Sequence, residues 1–398
     1  MSLSSKTAAP ARVLPALARP GVRVEDARAL GHTVLGIAVG LTAFGLVMIY
    51  SWTAVKLADR RVSFDPDAVL VKQIAWAFIA GLVTFTMSRI PLAWLRRHSH
   101  HILLGLLALL ALTLVPGIGK IKNNSRRWLE IGPFTMQASE FVKIAVILYV
   151  GDRLAKREEG STAERAPWPA VLAPIAIAVG LILMEPDLGT SLFIGALAMV
   201  LLGLAGVRFG KLVPFALVAI PLIVWIAASK FHHVGERLSF FTEGLKPHDQ
   251  QFQGLVALGS GGVLGAGLGA GTQKLGFVAE MQNDFIFTLV GEELGFVGCA
   301  AVIFAFMALV VYGRRIAERA HACAGLFPYY VAAGATFAVA FQALINIAVA
   351  TASAPNKGVS LPFVSVGGSS LVTAFASVGL LVNVSRHVAQ EESGDPWG

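Results

Sequence analysis

Charge is what this sequence has least of. Asp, Glu, Lys and Arg make up 14% of its 398 residues and hydrophobic residues 56%, where soluble domains carry about 25% and about 45–50%. The mean hydropathy of +0.70 exceeds what a soluble surface can carry, which excludes a water-soluble enzyme. Intrinsic disorder is excluded on the same ground, because so much apolar material must be buried. Cysteine is nearly missing too. Cys299 and Cys323 are the two in the chain, both in or beside expected helices, so neither a disulfide framework nor a cysteine metal site is expected. Residues 1–30 hold five Lys/Arg and no apolar core; they read as a disordered cytoplasmic tail, not a cleaved signal peptide.

Long apolar runs are what is abundant. A membrane helix needs about 20 mostly apolar residues. That window selects ten spans, near 31–52, 68–88, 102–119, 140–152, 168–184, 190–207, 212–228, 284–312, 326–350 and 370–386. The expected fold is an all-α polytopic membrane protein of about ten transmembrane helices: a tail (1–30), a membrane domain (31–387) and a second cytoplasmic tail (388–398). With the N-terminus inside, 18 Lys/Arg lie on the cytoplasmic side and 12 outside, and Lys72 and Lys143 fall within spans. The positive-inside rule then favours N-in and C-in. The net charge of +8 reads as loops facing anionic headgroups, with no nucleic acid implied.

The outer cations are unevenly placed. Four of them sit in 120–127, a cluster suited to an anionic substrate such as a lipid pyrophosphate, or to headgroup phosphates. Between spans seven and eight, residues 229–283 form an outer loop of about 55 residues, longer than a plain connector. Within it, glycine recurs from Gly259 to Gly271, allowing tight turns and close backbone approach. No strand precedes that run and no Gly-Lys-Ser/Thr follows it, so it is no nucleotide-binding loop.

Polar groups gather in a few patches. The first is Asn124-Ser-Arg-Arg-Trp-Leu-Glu-Ile-Gly-Pro133, running into Gln137-Ala-Ser-Glu140 and Lys143. Arg126 and Arg127 can fork onto phosphate oxygens, Trp128 suits an interface, and Glu140 and Lys143 share a helical face and should pair. The second patch, in the long loop, offers Arg237, Glu243, Asp249, Gln253 and Lys274, closing with Asp284. On a continuous helix Glu292 and Glu293 would lie roughly 12–14 Å below Asp284, as functional carboxylates or as packing groups. The third patch is Asn346 followed by Pro355-Asn-Lys-Gly-Val-Ser-Leu-Pro-Phe-Val-Ser-Val-Gly-Gly-Ser-Ser370, with Lys357, Ser365 and Ser369. Its prolines and glycines forbid a continuous helix, so it must line a cavity or be buried in protein. Glu185-Pro-Asp-Leu-Gly-Thr190 reads as a tight turn, with a metal or proton role as the alternative.

Together these motifs, spanning 124–370 in order, resemble the SEDS family of cell-wall polymerases, whose branches are FtsW, RodA and SpoVE. The Arg-Arg-Trp and the Gln-Lys-Leu-Gly-Phe spacing favour the FtsW branch. The resemblance implies a peptidoglycan glycosyltransferase. It would polymerise lipid II at the outer face of the cytoplasmic membrane, at the division septum, by inverting sugar transfer with undecaprenyl pyrophosphate leaving. It also implies a cognate class B penicillin-binding transpeptidase and other division proteins as partners. A divalent cation, Mg or Mn, would aid the leaving group; no organic cofactor is implied. The family's base is an aspartate of the long loop, after an Arg-x-x-x-Phe segment present here as Arg237-Leu-Ser-Phe-Phe241. The stretch that follows is contracted, and Asp249 is its one aspartate, so Asp249 is the expected base and Glu243 the alternative. Arg126, Arg127, Trp128, Arg237, Gln253, Lys274, Asp284, Lys357, Ser365 and Ser369 are the expected substrate-binding residues. Ala138, Ala279 and Val366 depart from the family pattern, where proline, proline and tyrosine are usual. A lipid-linked precursor flippase and a non-catalytic division scaffold are the competing readings.

Overall fold

A computed structural model describes residues 26–58, 66–122, 125–132, 134–160, 167–207, 210, 249–272, 282–356 and 358–393. The expected seventh span, 212–228, lies outside the described residues, as do Arg237, Glu243, Lys274 and Lys357. The helices are α1 (Ala27–Ala58), α2 (Pro66–Arg89), α3 (Leu92–Leu114), α4 (Ala138–Glu159), α5 (Trp168–Met184), α6 (Leu188–Leu204), α7 (Gln250–Ser260), α8 (Ile286–Arg319), α9 (Leu326–Ala350) and α10 (Gly368–Ser393). A π-helical turn, Ala320–Ala324, joins α8 to α9. Six of the described helices, α1, α2, α3, α8, α9 and α10, are long and apolar enough to cross a membrane, the eighth span including the π turn. Two shorter apolar helices, α5 and α6, stand beside them.

The bundle is built around α10, which packs on α1, α2, α4, α8 and α9. Small residues let it sit there: a Cβ on Gly379 would overlap Met87 and the Thr84 backbone of α2. By contrast α2 is peripheral, and Val71, Ile74, Phe78, Leu82 and Phe85 are exposed along it, as lipid-facing residues should be. The interior helix α4 is less apolar than its neighbours. It is tolerated because its buried charges have partners: Asp152 pairs with Arg96 at 3.3 Å and with Lys156 at 2.8 Å, and an unpaired ion at that depth would be costly.

Two features depart from a purely helical reading. The connection between α3 and α4 is a small antiparallel sheet, β1 (Lys120–Lys122), β2 (Ser125–Ile131) and β3 (Phe134–Gln137), in the order β1-β2-β3. Trp128 pairs with Gln137 and Ile131 with Phe134, and Gly132 turns the chain with φ +61°. A window as long as a membrane span averages over so short a sheet and cannot register it.

The second departure is in α8, which is not continuous: Gly295 breaks it with φ 66° and ψ −161°. An unbroken helix would bond the amides of residues 296 and 297 to the carbonyls of 292 and 293. Here the glycine run replaces those bonds. The Ala266 and Gly267 amides donate to the Glu292 and Glu293 carbonyls at 2.9 and 3.0 Å, and the Phe296 and Val297 amides donate to Gly262 and Val263 at 2.9 and 3.2 Å. Such approach requires glycine, since a Cβ on Gly261 would overlap the Gly291 carbonyl and one on Gly265 the Glu293 carbonyl. These four bonds pair irregular backbone inside a membrane bundle.

Candidate active site

Four helices, α4, α6, α8 and α10, begin around one polar cavity of about 180 Å³. Their aligned peptide dipoles give it the partial positive charge of helix N-termini, offset at α6 by the Asp187 cap. β2 contributes Arg127 and Trp128 to the wall, β3 contributes Gln137, the entry to α8 Asn283 and Asp284, and the entry to α10 Gly367 to Ser370.

Two ion pairs hold the wall together. Arg127 Nη1 lies 3.3 Å from Asp187 Oδ2. Asp187 in turn caps α6, accepting from the Thr190 amide at 3.0 Å and from Thr190 Oγ1 at 2.8 Å. It also accepts from Gln137 Nε2 at 3.1 Å. In the other pair, buried Lys143 donates to Glu140 Oε1 at 2.8 Å and to Gln342 Oε1 at 2.9 Å, with the Phe193 ring 4.5 Å away. Gln342 then donates to Ser370 Oγ and to the Ser360 carbonyl, so one amide ties α9 to the loop before α10. Because these cations are paired, attraction for an anion rests largely on the helix ends and on the Arg127 guanidinium that lines the wall. Arg127 Nε is buried without an acceptor among the described residues.

Backbone is positioned with equal care. Asn346, fully buried, donates through Nδ2 to the carbonyls of Asp284 and Val359 at 2.8 and 2.7 Å. It thus clips two wall segments to each other. A Cβ on Gly358 would come within 2.9 Å of Asp284 Oδ2, and one on Gly368 would overlap the Trp76 ring. Ser369 Oγ accepts from the Gln137 amide at 2.9 Å, joining sheet to α10.

Of the expected site residues, the structure gathers Arg127, Trp128, Glu140, Lys143, Asp284 and Ser369 at the cavity. Arg126 instead faces the end of α3, with Nη1 3.5 Å from the Leu114 carbonyl. Ser365 is buried and locks a turn, accepting from the Leu361 amide at 2.8 Å. Asp249 is exposed at the start of α7 and Gln253 is half-buried one turn on; neither lines the cavity. Their helix is nonetheless moored near the rim, for Asn356 Nδ2 donates to Gln250 Oε1 at 3.2 Å, two residues before Gly358 of the wall. Glu292 and Glu293 are buried at the break in α8, not on a continuous helix: Glu292 accepts from Thr272 and Glu293 from Ser51 Oγ at 2.7 Å.

Asp187 is a wall residue outside the expected substrate-binding set; its segment reads as a tight turn, with a metal or proton role as the alternative. The signal was present: Asp187-Leu-Gly-Thr190 is a helix N-cap pattern, and a capping carboxylate still has an oxygen for a second partner. Beside it Glu185 is fully buried and accepts from Thr113 Oγ1. Burial pushes its carboxyl up to about 8, Asp187 adds to the rise, and Thr113 and Arg127 oppose it.

With this geometry in view, the comparisons are specific. The model of the FtsW, RodA and SpoVE family, described as cell cycle protein, matches residues 32–390. The chain belongs to that family. Among its relatives is a probable peptidoglycan glycosyltransferase FtsW of Trichlorobacter lovleyi, 35% identical over 355 residues that cover 88% of this chain and 92% of the relative. The stage V sporulation protein E of Bacillus subtilis is 34% identical, over 87% of this chain and 94% of its own. Among solved structures, RodA of Thermus thermophilus superposes with a TM-score of 0.64 at 25% identity, over 89% of this chain and 95% of that one. A chain of a peptidoglycan synthase complex, 24% identical, gives a TM-score of 0.71 over 89% and 97% of the two chains. The FtsW, RodA and SpoVE fold is therefore the fold of this chain, a multi-pass membrane bundle.

Proposed function

We propose that the chain is a division-type peptidoglycan glycosyltransferase that polymerises lipid II into glycan strands. One observation carries the reading on the structural side: four helix N-termini and the Arg127 fork converge on a single polar cavity, an arrangement suited to a pyrophosphate. The cavity lies at the opposite end of the bundle from Arg96, Arg153, Lys156, Arg157 and Arg386. By the positive-inside rule that cationic end is cytoplasmic, so the cavity faces outward, where lipid-linked sugars are polymerised.

The chemistry follows from the groups available. A sugar hydroxyl of one chain attacks the anomeric carbon of the other, opposite the diphosphate. The bond from that carbon to the diphosphate oxygen breaks, and the leaving group carries the electron pair. Arg127 and the helix ends stabilise that developing charge, while a carboxylate takes the hydroxyl proton. Asp249 is the proposed base: it is exposed at the head of α7, on the helix moored to the cavity rim. Glu243 is the alternative. The divalent cation that the resemblance implies finds no group of three or more His, Cys, Asp or Glu among the described residues. Of the cavity carboxylates Glu140, Asp187 and Asp284, the first two are already held by Lys143 and Arg127. The proposal extends to the septal membrane as location and to a class B penicillin-binding transpeptidase as partner; likeness to a chain from a peptidoglycan synthase complex supports the latter.

The test separates a polymerase from a flippase. Purified protein is reconstituted in vesicles with fluorescent lipid II, and glycan length and lipid translocation are read side by side. Glycan strands from the wild type and none from Asp249→Asn support the proposal. Translocation without strands would overturn it, and strands from Asp249→Asn would transfer the base to Glu243.

A further inference from the structure

A second polar cavity lies at the far end of α10. From Ser369 at the first cavity to Arg386 at the second is 17 residues, about 26 Å at 1.5 Å per residue, close to the thickness of a bilayer core. The second cavity, about 470 Å³, is bounded by the corner between α2 and α3, the start of α9 and the last turns of α10. Its volume plays no part in the sugar-transfer chemistry described above.

Its lining is strongly basic. Arg89, Arg96 and Arg386 reach it, with His387 beside them. Arg96 is committed to Asp152 and Glu159, and His387 lies 4.0 Å from Glu391. Arg89 and Arg386 have no carboxylate partner among the described ion pairs: the Arg89 guanidinium lies 4.7 Å from the centre of the Phe85 ring, and Arg386 Nη1 donates to the Ser88 carbonyl at 3.1 Å. Two helices also begin at this cavity without side-chain caps, α3 after Pro91 and α9 after Gly325. Uncapped helix starts beside two arginines favour a multiply bonded oxyanion, and a phosphate has the acceptors to meet both. Asn383 ties α10 to this corner, donating to the Met87 and Ile90 carbonyls at 2.6 and 2.7 Å.

An apolar track leads to the same spot. Phe78, Leu82 and Phe85 are 78%, 59% and 57% exposed on α2, at positions that continue by helical spacing to Arg89. A free phosphate has no use for that stripe, whereas an acyl chain lies along it with its headgroup at the arginine. We propose that this cavity binds the phosphodiester headgroup of an anionic phospholipid in the cytoplasmic leaflet, gripped by Arg89 and Arg386 with an acyl chain along α2. Each arginine near a lipid surface contributes about 1 kcal/mol, or roughly fivefold in affinity.

Native mass spectrometry of the full chain in neutral detergent tests this. Dioleoyl phosphatidylglycerol, dioleoyl phosphatidylcholine and inorganic phosphate are titrated in separate arms. The expected result is preferential binding of phosphatidylglycerol, about fivefold weaker in Arg89→Gln and about 25-fold weaker in Arg89→Gln with Arg386→Gln. Arg314→Gln, at an exposed position outside the cavity, should match the wild type. Because Arg89 is exposed, its single variant keeps the fold, and Arg89→Lys should retain most of the affinity. Equal binding of the two lipids, or full binding by the double variant, would overturn the proposal. So would displacement of phosphatidylglycerol by inorganic phosphate at equal concentration, which would mark a site for a soluble anion.

Discussion

Arg127 and Asp187, 60 residues apart in the chain, form an ion pair across the mouth of the polar cavity, Nη1 to Oδ2 at 3.3 Å. The pair joins the small sheet to the start of α6, so two motifs that the sequence separates act on one wall. Arg127 Nε has no acceptor among the described residues, and the side chain lines the cavity proposed to hold the diphosphate. Hydrogen bonds to charged groups are worth about 1.5–3 kcal/mol. Arg127→Ala is therefore expected to lower kcat/KM for glycan polymerisation by about 10–100-fold, as read by steady-state product formation. An unchanged kcat/KM would remove this arginine from the substrate's reach.

Lys143 and Glu140 give a prediction about stability. The ammonium is about 4% exposed and held between Glu140 and Gln342. Removing one member of a buried pair leaves an uncompensated charge, at a cost of about 3–5 kcal/mol. Lys143→Met should lower the thermal midpoint strongly, and adding Glu140→Gln should restore part of the loss. A second substitution that worsened the first would show that the two side chains are not coupled.

The buried carboxyl of Glu185 sets a pH dependence. Its folded-state pKa is about 8 against 4.5 for the free group, so between these values the folded protein holds more protons than the unfolded chain. Stability should accordingly fall as pH rises from about 4.5 to about 8 and level off above. Glu185→Gln should flatten that slope in a series of melting curves. An equally steep slope in the variant would assign it to other groups.

At Gly295 the backbone adopts φ 66° and ψ −161°, a region essentially confined to glycine. A Cβ there would also overlap the Val263 and Gly265 backbone. Gly295→Ala is expected to cost about 1–3 kcal/mol or more, with increased amide exchange at Ala266, Gly267, Phe296 and Val297. Unchanged exchange at those four amides would contradict the paired break.

Much of this architecture was legible in the residues, and the failures have physical causes. Apolar runs located the long described helices because a bilayer demands that length, whereas the short α7 within the long loop has no such signal. The irregular segment before α10 followed from its prolines and glycines, and Lys143 pairs with Glu140 because three residues on a helix bring them to one face. The small sheet escaped because a span-length average conceals strands of three to seven residues. The break in α8 escaped because Gly295 is one glycine in an apolar run, and its meaning depends on a second glycine segment that docks against it. The pairing of Asp187 with Arg127 is not legible, because the cap pattern is local whereas the partner is remote. Asp249 follows from the contracted loop, but its absence from the cavity lining is a three-dimensional fact.

The most direct measurement is glycan-strand formation from lipid II by the purified full chain, with wild type, Arg127→Ala and Asp249→Asn assayed together. The account predicts strands from the wild type, a rate reduced by about 10–100-fold in Arg127→Ala, and none from Asp249→Asn despite an unchanged thermal midpoint. A wild type that binds lipid II but yields no strands would contradict it.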